Sequence, residues 1–136
     1  MPTVSALTTV HLKDAGGPVP FLAHFHYDRA DPFAVRVAFF DQGTAVACWY
    51  FDREMLAEGM NRQIGEGDVT FRPRRTVEGL QVHIELRDHS APGHRAAVIS
   101  VDGGDLDEFL ERTYRVTPAG AETMDIDSPL RDLLAW

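Results

Sequence analysis

The sequence predicts an α+β domain of about four strands, a short helix, about three further strands and then helix. Two alternating stretches and one change of period point to it. Phe21, Ala23, Phe25 and Tyr27 alternate with Leu22, His24 and His26, while Leu80, Val82, Ile84 and Leu86 alternate with Gln81, His83 and Glu85. A two-residue period marks strands with one buried face. After Asp105 the period lengthens, and Leu106, Phe109 and Leu110 recur at helical spacing.

Residues 3–13 mix β-branched and apolar side chains and read as the first strand, which Gly16-Gly-Pro-Val-Pro20 ends. The second strand, residues 21–27, meets the turn Asp28-Arg-Ala-Asp-Pro32, where aspartate side chains mimic a backbone turn and Pro32 keeps Asp31 out of helical geometry. Residues 33–40 and the run Ala45-Val-Ala-Cys-Trp-Tyr-Phe51 form a hairpin through Asp41-Gln-Gly43. So long an apolar run reads as a strand covered on both faces. Asp52 caps a helix beginning at Arg53, Met55, Leu56 and Met60 give it an apolar side, and Gly59 is expected to end it in left-handed geometry. Gly65-Glu-Gly-Asp68 bends the chain into Val69-Thr-Phe-Arg72, which Pro73 stops or places at an edge. Residues 80–86 and 96–101 are strands separated by a polar loop at 88–95. Asp105 and Glu108 have capping-box spacing for a helix to about Tyr114, interrupted by Pro118 and Gly120. Asp127-Ser128-Pro129 opens a last short helix with Leu130, Leu133 and Leu134. The halves echo each other weakly, without a repeat or a linker, so residues 1–136 are expected to be a single domain.

If Val46, Cys48 and Tyr50 face one way, then Ala45, Ala47, Trp49 and Phe51 face the other, and one core can cover only one set. Helices or another subunit must cover the second. Cys48 is the only cysteine, which excludes an internal disulfide and fits a small core side chain in a reducing compartment. A cytoplasmic location follows as the expectation, since the N-terminus lacks a basic start with a long apolar core and no segment approaches the ~20 apolar residues of a membrane span. The net charge is −8, and residues 102–136 hold nine acids against three bases. Such a chain repels phosphate backbones. Lys13 is the only lysine, leaving positive charge almost wholly to arginine.

No catalytic grouping stands out. His24 and His26 leave one strand face together and could share a metal, yet a site needs further ligands. His83, His89 and His94 read as solvated. Ser90 and Ser100 lack a nucleophile elbow, and Asp28 and Asp31 are explained by their turn. Gly65-x-Gly67 leads into a strand and so is a turn rather than a phosphate cradle. Phe71, Arg72, Arg74 and Arg75 form the one basic and aromatic patch, the combination that holds single-stranded nucleic acid. The residues thus predict no enzyme, no cofactor, no metal and no assignable site residues; the chain's acidity favours a salt-bridged edge at the arginine patch, with a single-strand binder as the alternative.

Four stretches resemble one family. Tyr27-Asp-Arg-Ala-Asp-Pro-Phe-Ala-Val35 is similar to the Tyr-Asp-x-x-Asp-Pro-aromatic-Ala-Val turn of the SsgA-like proteins of filamentous actinobacteria. Phe51-Asp-Arg-Glu-Met-Leu-Ala-Glu-Gly59 resembles their aromatic-x-Arg-x-Leu-Leu-x-Glu-Gly helix, with Met55 in place of a leucine. Gly65-Glu-Gly-Asp-Val69 resembles their Gly-x-Gly-Asp-Val strand entry, although Gln63 stands where many members have proline. Leu106-Asp-Glu-Phe-Leu-Glu-Arg-Thr113 is similar to their Phe-Leu-x-Arg-Thr helix. The resemblance implies two packed antiparallel sheets with short helices, like the whirly single-strand binders, and a homotrimer. It also implies a non-enzymatic role in sporulation and septation at the division septum, through the tubulin-like FtsZ or through peptidoglycan synthesis and autolysis. The short length and the matches in the turn and helix resemble most the member that brings FtsZ to sporulation septa. It carries over no catalytic residue and no partner-binding residue.

Overall fold

A computed structural model of the chain describes residues 2–88 and 95–123, without the side chains of Asp88 and Arg95. Its elements are β1 (Thr3–Leu12), β2 (Val19–Asp28), β3 (Asp31–Asp41), β4 (Thr44–Asp52), α1 (Arg53–Glu58), β5 (Ile64–Glu66), β6 (Val69–Thr76), β7 (Gly79–Asp88), β8 (Arg95–Asp102) and α2 (Gly103–Val116). The middle of the expected 88–95 loop and the helix expected at Asp127-Ser128-Pro129 lie outside the described residues.

The expectation of two packed sheets is corrected: the strands form one antiparallel sheet in the order β4-β3-β2-β1-β8-β7-β6-β5. Its halves, β1–β4 and β5–β8, meet at a narrow seam. The last residues of β1 cross it, with His11 opposite Ser100, Leu12 opposite Ile99, and Lys13 N donating to Val98 O at 2.9 Å. So short a joint leaves the sheet free to curl. In a flat sheet the strands carrying Phe51 and Phe71 would stand six spacings, ~29 Å, apart. Their rings instead meet edge to face with centroids 5.4 Å apart, so the sheet closes into a half-barrel.

The two helices fill its concave side. Leu56 of α1 and Leu106, Phe109 and Leu110 of α2 are buried among Val4, Ala23, Phe25, Val35, Val37, Val82, Ile84 and Val101. Each half of the sheet ends in the same device. Asp52 and Asp102 hold nearly equal backbone angles (φ −65°, ψ 127° and φ −62°, ψ 125°), and their carboxylates accept from Met55 N and Asp105 N, each at 2.9 Å. That repetition is the structural content of the weak echo. It also moves the start of α2 from Asp105 to Gly103, because Asp102 takes the cap and Asp105 instead accepts from Thr8 Oγ1 at 2.8 Å. The helix continues to Val116.

Two local expectations change, and of the two alternatives for Pro73 the edge position holds. Gly59 is right-handed (φ −63°, ψ −14°), and glycine is required there for space: an added Cβ would overlap Phe71 Cβ and lie 3.0 Å from its Cγ. Gly59→Ala is therefore expected to lower stability by about 1–3 kcal/mol, read from the midpoint of urea unfolding, and an unchanged midpoint would refute the close approach. The bend after α1 contains a short strand, β5, pairing Ile64 with Phe71 and Glu66 with Val69. Strand β6 runs through Pro73 to Thr76, because β5 ends opposite Phe71 and beyond it that edge needs no N–H donor. The Asp41 hairpin holds as expected, with Gln42 (φ 50°) and Gly43 (φ 82°) in a two-residue turn of the primed type.

Among the described residues, one charged side chain lies inside the core. Arg53, the first residue of α1, is 1% exposed. Its Nη1 donates to Thr113 O (3.1 Å), which also accepts from Thr117 N, and to Thr117 O (2.8 Å), the carbonyl of the residue that caps the C-terminal end of α2. Nη2 meets Glu122 Oε1 at 2.6 Å, and the guanidinium lies over the rings of Tyr114 (4.0 Å) and Tyr27 (4.9 Å). Arg53 thereby ties α1 and β2 to the negative end of the α2 dipole.

Candidate interaction surface

The apolar run at 45–51 does not lie in the middle of the sheet. It forms β4, an edge strand, and the chain's own helices do not cover both its faces. Only Phe51 is buried and Trp49 is half-buried, since α1 covers just the end of the strand that feeds it. Cys48, expected in the core, is exposed. Most edge strands are protected by charge, proline or shortness. Between Thr44 and Phe51, β4 carries no charged residue and no proline.

Cross-strand register shows what the outer face of the first half presents. One row runs Thr9, Leu22, Phe40, Ala45; the next Leu7, His24, Ala38, Cys48; the third Ser5, His26, Arg36, Tyr50. Tyr50 is 65% exposed, Leu7 64% and Leu22 43%, in a contiguous patch spanning four strands. Patches of this kind mark association surfaces. At its centre, Arg36 Nε is buried without a hydrogen-bond partner among the described residues. A buried donor left unpaired costs about 1–3 kcal/mol, a cost that an acceptor from a docked molecule would remove. His24 is held below its ordinary value first by burial and then by His26 and Arg36, which favours its neutral imidazole. On the inner side, Val46, displaced by a bulge between Phe39 and Phe40, joins Ala47, Trp49, Val10, Phe39 and Ile99 around an apolar cleft of about 360 Å³.

The other sequence candidates separate. The rings of His24 and His26 lie 6.0 Å apart on the outer face, and Ser5 Oγ is 2.9 Å from His26 Nδ1. Among the described residues no third metal-binding side chain joins them. The basic and aromatic patch is split: Phe71 is 1% exposed and packed on Phe51, so it offers no stacking surface. The strand period places Arg75 on the face of Phe71 and Arg72 and Arg74 on the opposite one. Arg36 was missed by sequence reasoning, though its alternation with Val35 and Val37 signals the outer face; its row neighbours needed the register.

Residues 21–122 match the family described as "Streptomyces sporulation and cell division protein, SsgA". The chain belongs to the SsgA-like family. It is 38% identical over 120 residues to the sporulation-specific cell division protein SsgB of Thermobifida fusca, covering 87% of this chain and 84% of that one. Against SsgB of Streptomyces coelicolor it is 38% identical over 131 residues, covering 95% and 91%. The crystal structure of an SsgA-like sporulation-specific cell division protein from Thermobifida fusca superposes with a TM-score of 0.80 at 32% identity, covering 98% of this chain and 92% of that one. A second solved structure, described under "Mutations in SsgB correlate to longitudinal cell division during sporulation of Streptomyces coelicolor", gives 0.78 at 35% identity, covering 89% and 93%. This SsgA-like chain is therefore an SsgB-like cell division protein of a non-enzymatic family. No helix among its described residues is long and apolar enough to cross a membrane.

Proposed function

We propose that the chain is a single-domain cytoplasmic adaptor that acts at the sporulation septum by assembling with copies of itself, as a homotrimer, and bringing FtsZ to the division site. The observation that carries this reading is the outer face of β1–β4: apolar, contiguous, open along the β4 edge, and holding an unsatisfied Arg36 Nε at its centre. Self-assembly covers that face and supplies an acceptor. A closed threefold ring uses a heterologous joint, so the β4 region of one copy meets a different surface on the next and no open edge remains. The likeness to SsgB supports the cell-division setting. Capture of purified FtsZ by the immobilised chain at near-physiological salt is the expected result, and a capture no greater than with an unrelated trimeric protein would contradict the adaptor.

A further inference from the structure

The outer face of the seam between the two halves differs in character from the outer face of β1–β4. In β6, Arg72 and Arg74 point away from the core; in β7, Gln81 and His83 do; in β8, Ser100; in β1, His11. Register sets Arg72 opposite His83, His83 opposite Ser100, and Ser100 opposite His11, so one row crosses four strands. Lys13 follows His11 across the seam. A groove of about 550 Å³ lies here, with His11, Lys13, Gln81, His83 and Ser100 in its walls. Ser100 Oγ donates to Gln81 Oε1 at 2.9 Å, which leaves the Gln81 amide nitrogen as the donor of that pair.

The charge of this groove opposes that of the molecule. The chain carries −8, yet its only lysine and two arginines gather around the one row. His83 is held below its ordinary value, first by burial and then by Arg74, Arg72 and Lys13, so the field at the groove is positive. The nearest acids do not cancel it. Glu85 is paired with Arg87 at 2.8 Å and Asp102 is engaged as the α2 cap, while Asp14, in the wall beside Lys13, offsets that one charge and leaves Arg72 and Arg74.

We propose that this groove binds a short, extended, acidic peptide segment of a partner protein, its carboxylates meeting Arg72, Arg74, His83 and Lys13. The inference rests on the adaptor reading in taking its ligand from a partner. Three strand spacings make the row ~14 Å long, the span of about four extended residues. A peptide of that size stays within the positive field, whereas a long polyanion would extend beyond it over a chain whose net charge is −8. No phenylalanine, tyrosine or tryptophan belongs to the row, so the stacking that holds single-stranded nucleic acid is missing.

The test uses the full chain and fluorescein-labelled hexapeptides, one rich in aspartate and glutamate and one with asparagine and glutamine in their places, beside a labelled single-stranded oligonucleotide. At about 20 mM salt, where charge pairing is least screened, the acidic peptide is expected to bind at least about tenfold more tightly than its amide counterpart. Arg72→Gln with Arg74→Gln should remove that difference while the melting temperature stays at the wild-type value. The His83 ring resonances should report a raised pKa when the acidic peptide is bound. Equal binding of the two peptides, binding unaffected by the double variant, or tighter binding of the oligonucleotide would each overturn the proposal. FtsZ capture that survives the double variant removes FtsZ as the source of the segment and leaves the adaptor standing; selective peptide binding without FtsZ capture does the reverse.

Discussion

Arg53→Met is expected to cost about 3–5 kcal/mol of folding free energy, a large part of the 5–15 kcal/mol typical of a domain. Replacing a buried ion pair by an apolar side chain is often neutral, because both desolvated charges are removed together. Here the partners are unlike that case. Thr117 O is a backbone carbonyl that remains when the guanidinium is gone, and an unpaired buried acceptor costs about 1–3 kcal/mol, while Thr113 O keeps its bond from Thr117 N but loses its second donor. The packing of the guanidinium on Tyr114 and Tyr27 is lost as well. Glu122, half-buried and partly open to water, keeps its bond from Gly120 N, so its pairing adds little. Arg53→Lys should fall between the two, since an ammonium can satisfy a carbonyl but lacks the planar fork that serves both carbonyls, Glu122 and both rings. Urea unfolding followed by circular dichroism reads the effect, and a methionine variant within about 1 kcal/mol of wild type would show that the α2 carbonyls find other partners.

Charge placed on the outer face should act on assembly and leave the fold intact. Tyr50→Asp and Leu22→Asp each put a carboxylate into the exposed patch, where the wild-type chain has an exposed apolar side chain. Burying an unpaired charge against a second copy costs several kcal/mol, enough to weaken association about a hundredfold or more. Because these side chains are exposed within one chain, the far-ultraviolet spectrum should not change. Cys48 in the same patch provides an independent readout. Its thiol should react slowly with a bulky reagent in the wild-type assembly and quickly in either variant, and equal rates would place the interface elsewhere.

Where side-chain period and capping dictated structure, the sequence was readable. The alternations at 21–27 and 80–86, the Asp52 cap, the Asp28 turn and the two-residue hairpin after Asp41 are each fixed by neighbouring residues, and they stand as expected. What was not readable depended on partners distant in sequence. A run such as 45–51 reads alike in a sheet centre and at an apolar edge, and only the strand order makes it an edge. Gly59 does end α1, but its left-handed geometry was the wrong reason for glycine there, because the contact that requires it, Phe71, lies on another element. The same holds for surfaces. Arg72 and Arg74 lie 59 and 61 positions after Lys13, and only the β1–β8 seam brings them beside a common groove. The single sheet also turns on that seam, two residue pairs that no local pattern announces.

Light scattering on the purified wild-type chain at micromolar concentration and physiological salt bears most directly on whether the outer face of β1–β4 is an assembly surface. A mass three times the 15.2 kDa of one chain, falling to that of one chain in Tyr50→Asp, is the expected result. A wild-type mass of 15.2 kDa, with Cys48 open to reagent, would contradict it.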